Sequence, residues 1–190
     1  MQSKDWISLL AVCATAVGWA VGYLLSARQN RRLEKMKSSV KYLETQLQEL
    51  YGPLAFLLWE GERTWKDLFD TLETLRGTRP KNVFPLENAD ELKLWLFWVD
   101  NDFMPRNERI RELLMSKTHL IEGASMPRSY LDFLEHHNSW KINHLRWQKN
   151  NVEYPWHSKI NYPMKFREEV LDTFQTLKAR YHGFLEKLRD

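Results

Sequence analysis

At 190 residues and 22.9 kDa the chain has room for one compact domain and an anchor, and not for two full domains. Seven glycines, seven prolines and 13% aromatic residues exclude a disordered or fibrous chain. A formal net charge of +3, concentrated in one segment, removes a global electrostatic case for nucleic-acid binding, and the single cysteine, Cys13, excludes an internal disulfide and a Cys-based zinc site.

From Trp6 to Ala27 no residue is charged. At about 1.5 Å per residue, a helix of that length matches a hydrocarbon core of about 30 Å. Trp6 and Tyr23 sit near the two ends, where aromatic side chains favour the interface. Arg28, Arg31, Arg32, Lys35, Lys37 and Lys41 follow, opposed only by Glu34, and this basic flank places the C-terminal side in the cytoplasm. Residues 1–27 are therefore predicted to be a leader and transmembrane anchor in a bacterial inner membrane, N-terminus outside. A cleaved signal peptide would use Ala14-Thr15-Ala16, but the apolar run continues through Leu24-Leu25 and the flanking charges are on the wrong side. Leu10-Ala11-Val12-Cys13 is a poor lipoprotein box because Val12 is too bulky before the cysteine.

Ala14, Gly18, Gly22 and Ser26 recur every four residues and form a smooth stripe on which two anchors could pack, although small residues are common in any spanning helix. Leu33, Met36, Val40, Leu43, Leu47, Leu50, Leu54 and Leu57 then follow a and d spacing with polar residues between them. Two readings stay open: an oligomeric coiled-coil stalk over residues 28–52, or an amphipathic helix packed on its own domain. At Gly52-Pro53 a kink, or a restart with Pro53 at a first helical position, is expected, because proline lacks the backbone donor.

Residues 53–190 read as an all-α cytoplasmic domain. A helix from Pro53 to Arg76 carries Leu54, Leu57, Leu58, Trp65, Leu68, Phe69, Leu72 and Leu75, closes at Gly77, and is followed by a loop to Pro85. Asn88 and Glu91 resemble a capping box opening a short helix through Val99, whose apolar residues surround its axis and predict burial. Pro105 starts a helix that should reach Gly123, and Ser125 and Pro127 start another that reaches about Asn151. After a connector from Tyr154 to Pro163, Phe166, Val170, Phe174, Leu177, Tyr181, Phe184 and Leu188 mark one face of a last helix.

Leu50-Tyr51-Gly52-Pro53-Leu54 after a short coiled coil, Met104-Pro105, Lys117-Thr118-His119-Leu120-Ile121, Met126-Pro127, Leu134-Glu135-His136-His137, Tyr162-Pro163 and Leu177-Lys178 together resemble a set of uncharacterised bacterial single-pass membrane proteins. That resemblance covers most of the chain and implies an anchor, a short coiled coil and an all-helical cytoplasmic domain. It implies no activity. Genes of this kind can accompany mobile elements or antiviral loci, which adds a role in phage defence to the readings.

Chemistry is sparse. His119, His136, His137, His144 and His157 raise the question of a metal, but His137 and His144 lie two turns apart, about 10.5 Å along a helix, and no HExxH motif occurs. Asp100-Asn101-Asp102 lacks the rest of an EF-hand loop, so no metal and no cofactor are expected. Phe133, His137, Trp140, His144 and Trp147 form a stripe of rings on one helix, flanked by Lys141, Arg146 and Lys149, on which a nucleotide or single strand could stack; the competing reading is that the tryptophans are core.

The expectation is an oligomeric, membrane-anchored interaction module with no catalytic activity, which recruits a cytoplasmic protein partner. Two alternatives accompany it: a phage-defence sensor or effector binding a nucleotide or phage-derived signal, and a small membrane-tethered hydrolase acting through Asp102 or His137.

Overall fold

The computed structural model describes residues 3–153, 157–158 and 160–189, with the side chains of residues 3–17 outside the description. The described chain is all-helical, without a strand, as the periodicity predicts. Its α-helices are α1 (Ser3–Gln46), α2 (Gly52–Arg76), α3 (Ala89–Trp98), α4 (Met104–Ser116), α5 (Arg128–Asn150) and α6 (Met164–Arg189).

No helix among the described residues is long and apolar enough to cross a membrane. The predicted span from Trp6 through Val17, with Ala14 of the small-residue stripe, lies among the side chains outside the description. Its remainder is described and exposed: Trp19, Tyr23, Leu24 and Leu25 stand in solvent, and a Cβ added at Gly18 or Gly22 would touch nothing within 4 Å.

α2 restarts at Gly52 with Pro53 in its first turn, as expected, and without a loop between it and α1. A π-turn at Leu47–Tyr51 joins α1 to α2, and the Gly52 N–H donates to Leu47 O, five residues back. The same device recurs at Val99–Phe103, where the Met104 N–H donates to Val99 O just before Pro105. In both places the proline ring would crowd the carbonyl four residues earlier, and the widened turn removes that conflict while the helix continues. At the first turn a Cβ on residue 52 would lie 2.5 Å from Leu47 O, so only glycine fits there.

Two adjoining clusters form the core. The larger brings Leu43 and Leu50 of the expected stalk together with Leu54, Leu57, Ile110, Leu114, Phe133, Phe166, Val170 and Leu177. Leu43, Leu47 and Leu50 therefore pack inside their own domain, and of the heptad seam only Leu33 remains exposed, with Met36 and Val40 half-buried. The smaller cluster gathers Leu68, Leu72, Val83, Trp95, Val99, Phe103 and Trp140. On α3 only the Glu91, Trp95 and Val99 side is buried while Phe97 is exposed, which corrects the expectation of an all-round buried helix.

α6 lies antiparallel to α1. Glu122 fixes their register, accepting from Gln46 Nε2 of α1 at 3.1 Å and from Arg180 of α6 at 2.7 Å. Phe174 lies opposite Gly52 in the same register. The segment that carries Glu122 is the reason α4 ends early. Helix α4 stops at Ser116 instead of running to Gly123, and a 3₁₀ turn at Thr118–Leu120 returns Leu120 and Ile121 to the core. Gln46 then caps the Leu120 carbonyl at 2.9 Å, and the Glu122 N–H donates to the Tyr51 hydroxyl at 2.8 Å.

The capping box at Asn88 is half realised. Asn88 Oδ1 accepts from the N–H groups of Asp90 and Glu91, both at 3.0 Å. Glu91, however, reaches past Asn88 to the Glu87 N–H at 2.8 Å and takes the Arg76 guanidinium at 2.9 and 2.7 Å. The same guanidinium donates to the carbonyls of Val83 and Pro85, so the end of α2, the loop and the start of α3 share one fork.

Candidate functional site

The ring stripe on α5 faces inward. Phe133 and His137 are fully buried, and Trp140 and His144 nearly so, because α5 lies across α4 and the second π-turn. Their ring faces already have partners: Phe133 stacks on Phe166 at 4.5 Å between centroids, and Trp140 on Trp95 at 6.2 Å and 19°. Trp147 packs at the edge of the smaller cluster, while Arg146 and Lys149 are exposed. Periodicity gathers the stripe correctly, but core rings and a stacking platform share the same spacing, so the sequence could not separate them.

What the stripe meets is a row of carboxylates. Asp100 accepts from His144 at 2.7 Å and Gln148 at 3.2 Å. Asp102 takes Arg106, which also donates to Thr64 on α2 at 2.9 Å. Glu108 receives His137 at 2.8 Å and Lys141 at 2.6 Å on one oxygen, and Arg111 at 2.9 Å on the other. The Lys141 ammonium, with His137 adding to it, holds the Glu108 carboxyl down to about 2 against the opposing effect of burial. Burial pushes His137 below the usual imidazole value, and burial likewise raises Asp102 despite Arg106. The neutral His137 ring donates Nε2–H to Glu108, and its buried Nδ1 has no partner among the described residues.

Each of these carboxylates is engaged by side chains of the protein itself. Asn101 Nδ2 donates to Phe97 O, so Asp100, Asn101 and Asp102 direct their polar groups to three different places rather than to one ion. No group of His, Cys, Asp and Glu suited to a metal occurs among the described residues. The arrangement welds α5 to α4 and, through Arg106, α4 to α2.

An accessible concavity lies elsewhere. Phe56, Trp59, Glu60, Arg63, Thr64 and Asp67 line an open groove of about 430 Å³ on α2. Phe56 and Trp59 are large and exposed there, Trp59 leaning edge-on against Phe174. The signal was present in the sequence: both aromatics fall off the Leu54, Leu57 and Leu58 face that fills the core. Comparison with protein-family models, with curated proteins and with solved structures found no match to this chain.

Proposed function

We propose that the chain is a membrane-anchored, oligomeric interaction module without catalytic activity. Its α1 tip enters a bacterial inner membrane with the N-terminus outside, and its helical domain lies in the cytoplasm and presents the α2 groove to a protein partner. The observation that carries this reading is the α1 tip: Trp19 is 79% exposed, Tyr23 75%, Leu24 65% and Leu25 62%, in an uncharged helix that continues directly into a basic segment. An aqueous protein rarely leaves such a contiguous apolar surface uncovered, and a bilayer covers it on all sides.

Self-association belongs to the upper part of α1, where Gly18, Gly22, Ser26 and Leu33 are exposed; Ala14 continues the stripe in the sequence. Leu43, Leu47 and Leu50, expected on the same seam, pack in the domain's own core. The nucleotide sensor and the hydrolase draw no support from the α5 stripe, whose rings and acids are engaged with one another.

Extraction of native membranes with alkaline carbonate, combined with protease accessibility of tags at the two ends, tests the anchor. Retention in the pellet with only the N-terminal tag exposed to the outside supports it, and release into the supernatant ends it. Mass photometry of the detergent-solubilised full chain tests the oligomer, which a monomer would rule out. A photo-crosslinker at Phe56 or Trp59 that captures no protein would remove the groove from the proposal.

A further inference from the structure

The antiparallel register brings the two most basic ends of the protein to the same level. α1 from Arg28 to Lys41 holds six cations against Glu34, and α6 from Lys178 to Arg189 holds Lys178, Arg180, Lys187 and Arg189 against Glu186. Since the whole chain is only +3, the rest of the domain is net acidic, and the molecule is polarised along α1. With Arg180 level with Gln46, the C-terminus of α6 lies level with Lys37.

We infer that the end of α6 and the basic segment of α1 together form a collar that binds the headgroups of anionic lipids, the α6 cations resting against the bilayer surface beside the anchor; this rests on the anchoring proposed above. Distances fit. Ten residues of helix separate Lys37 from Ala27, about 15 Å along α1. The headgroup layer extends roughly 5–7 Å beyond the hydrocarbon edge, which leaves about 8 Å, no more than a Debye length at physiological salt. Long Lys and Arg side chains reach across much of that remainder.

Side-chain placement agrees. At 100° per residue Arg28, Arg31, Arg32 and Lys35 fall within an arc of about 100° on α1. That arc adjoins the side of α1 that carries the half-buried Met36 and Val40 and also Leu43, which shares the core with α6. Arg28, Arg31, Arg32, Lys35, Lys41 and Arg189 form no ion pair among the described residues, and all are exposed. Lys187 and Arg189 also suit the negative end of the α6 dipole, a purely structural role that a change of lipid would leave untouched.

The experiment reconstitutes the full chain into phosphatidylcholine vesicles with or without a quarter of phosphatidylglycerol and follows amide exchange over residues 181–189. The collar predicts slower exchange with phosphatidylglycerol, by about fivefold for two cations at the surface, lost at high salt and lost in the K187Q/R189Q double variant. Equal exchange in both lipids overturns the collar, as does full protection in the double variant. Equal protection by single-stranded DNA added outside phosphatidylcholine vesicles would reassign it to nucleic acid and overturn it as well. Flotation separates this result from the anchor: co-flotation with pure phosphatidylcholine and no lipid effect on α6 leaves the anchor and removes the collar. Absence of that flotation, with α6 protected on phosphatidylglycerol vesicles, removes the anchor and leaves the collar.

Discussion

His137 donates its Nε2–H to Glu108 at 2.8 Å from a fully buried position, so a neutral ring is locked against an ionised carboxylate at the α4–α5 contact. Acid should therefore destabilise the fold in two stages. His136 and His137 both titrate below the ordinary 6.5 because burial disfavours their charged form. The unfolded chain thus takes up their protons first, and stability falls as pH drops below about 6.5. Glu108, at about 2 against the usual 4.5, works in the lower window. Its contribution is complete above about pH 4.5 and is lost as pH falls toward 2. Urea midpoints measured from pH 8 to pH 3 should show both declines. Glu91 and Glu122, held down by Arg76 and Gln46, share the lower window, so E108Q should make the lower decline shallower and keep the upper one; an unchanged lower decline contradicts the assignment.

Glu91 should be among the least replaceable polar residues. It is fully buried and holds the guanidinium of Arg76, itself only 10% exposed. Glu91→Ala takes from the nearly buried Arg76 its bidentate carboxylate and leaves it only backbone carbonyls and the distant Glu87, at a cost of roughly 3 kcal/mol. Glu87 meets the same guanidinium at 3.7 Å but is 62% exposed. Glu87→Ala should therefore stay within about 1 kcal/mol. Chemical denaturation of the two variants side by side measures the contrast.

Gly52→Ala places a methyl group 2.5 Å from the Leu47 carbonyl oxygen. The π-turn must shift or open, and a loss of about 1–3 kcal/mol is expected by thermal melting, as for other overpacked sites. Pro53→Ala removes the ring that the π-turn accommodates and should be much milder. Equal losses in the two variants would show that the turn does not arise from the proline.

Trp140→Ala should behave as a core truncation, costing roughly 3–5 kcal/mol. Lys141→Ala should cost no more than about 1 kcal/mol, since its side chain is 42% exposed. A Trp140→Ala protein that melts like the parent would return the stripe to the surface and reopen the stacking reading.

Much of the fold is legible from periodicity and caps. On α6, Phe166, Val170 and Leu177 are buried as their spacing predicts, with Phe174 partly buried beside them, and Gly77 ends α2 with a φ of 71°. What escaped depends on contacts distant in sequence. Nothing near Asn88 announces that Glu91 will turn to Arg76, fifteen residues earlier. Nothing near Ser116 shows that Leu120 and Ile121 will return to α1 and shorten α4. The heptad seam was readable, yet whether Leu43, Leu47 and Leu50 meet a second copy or α6 is a tertiary fact. Pro53 and Pro105 open α2 and α4 as their place in a first helical turn predicts, but local rules omit the five-residue hydrogen bonds that join each of these helices to the element before it.

α1 extends over 44 residues, about 66 Å, without a hinge, and its lower end carries Leu43, Gln46 and the first π-turn into the hydrophobic interior. Such a shaft transmits torque. A rotation imposed at the tip has no loop in which to dissipate, and it must turn Leu43 within the core it shares with α6 and pull Gln46 from the Leu120 and Glu122 oxygens it holds. The π-turn at Leu47–Tyr51, where the winding already departs from the ordinary helical repeat, is the next place that twist would reach.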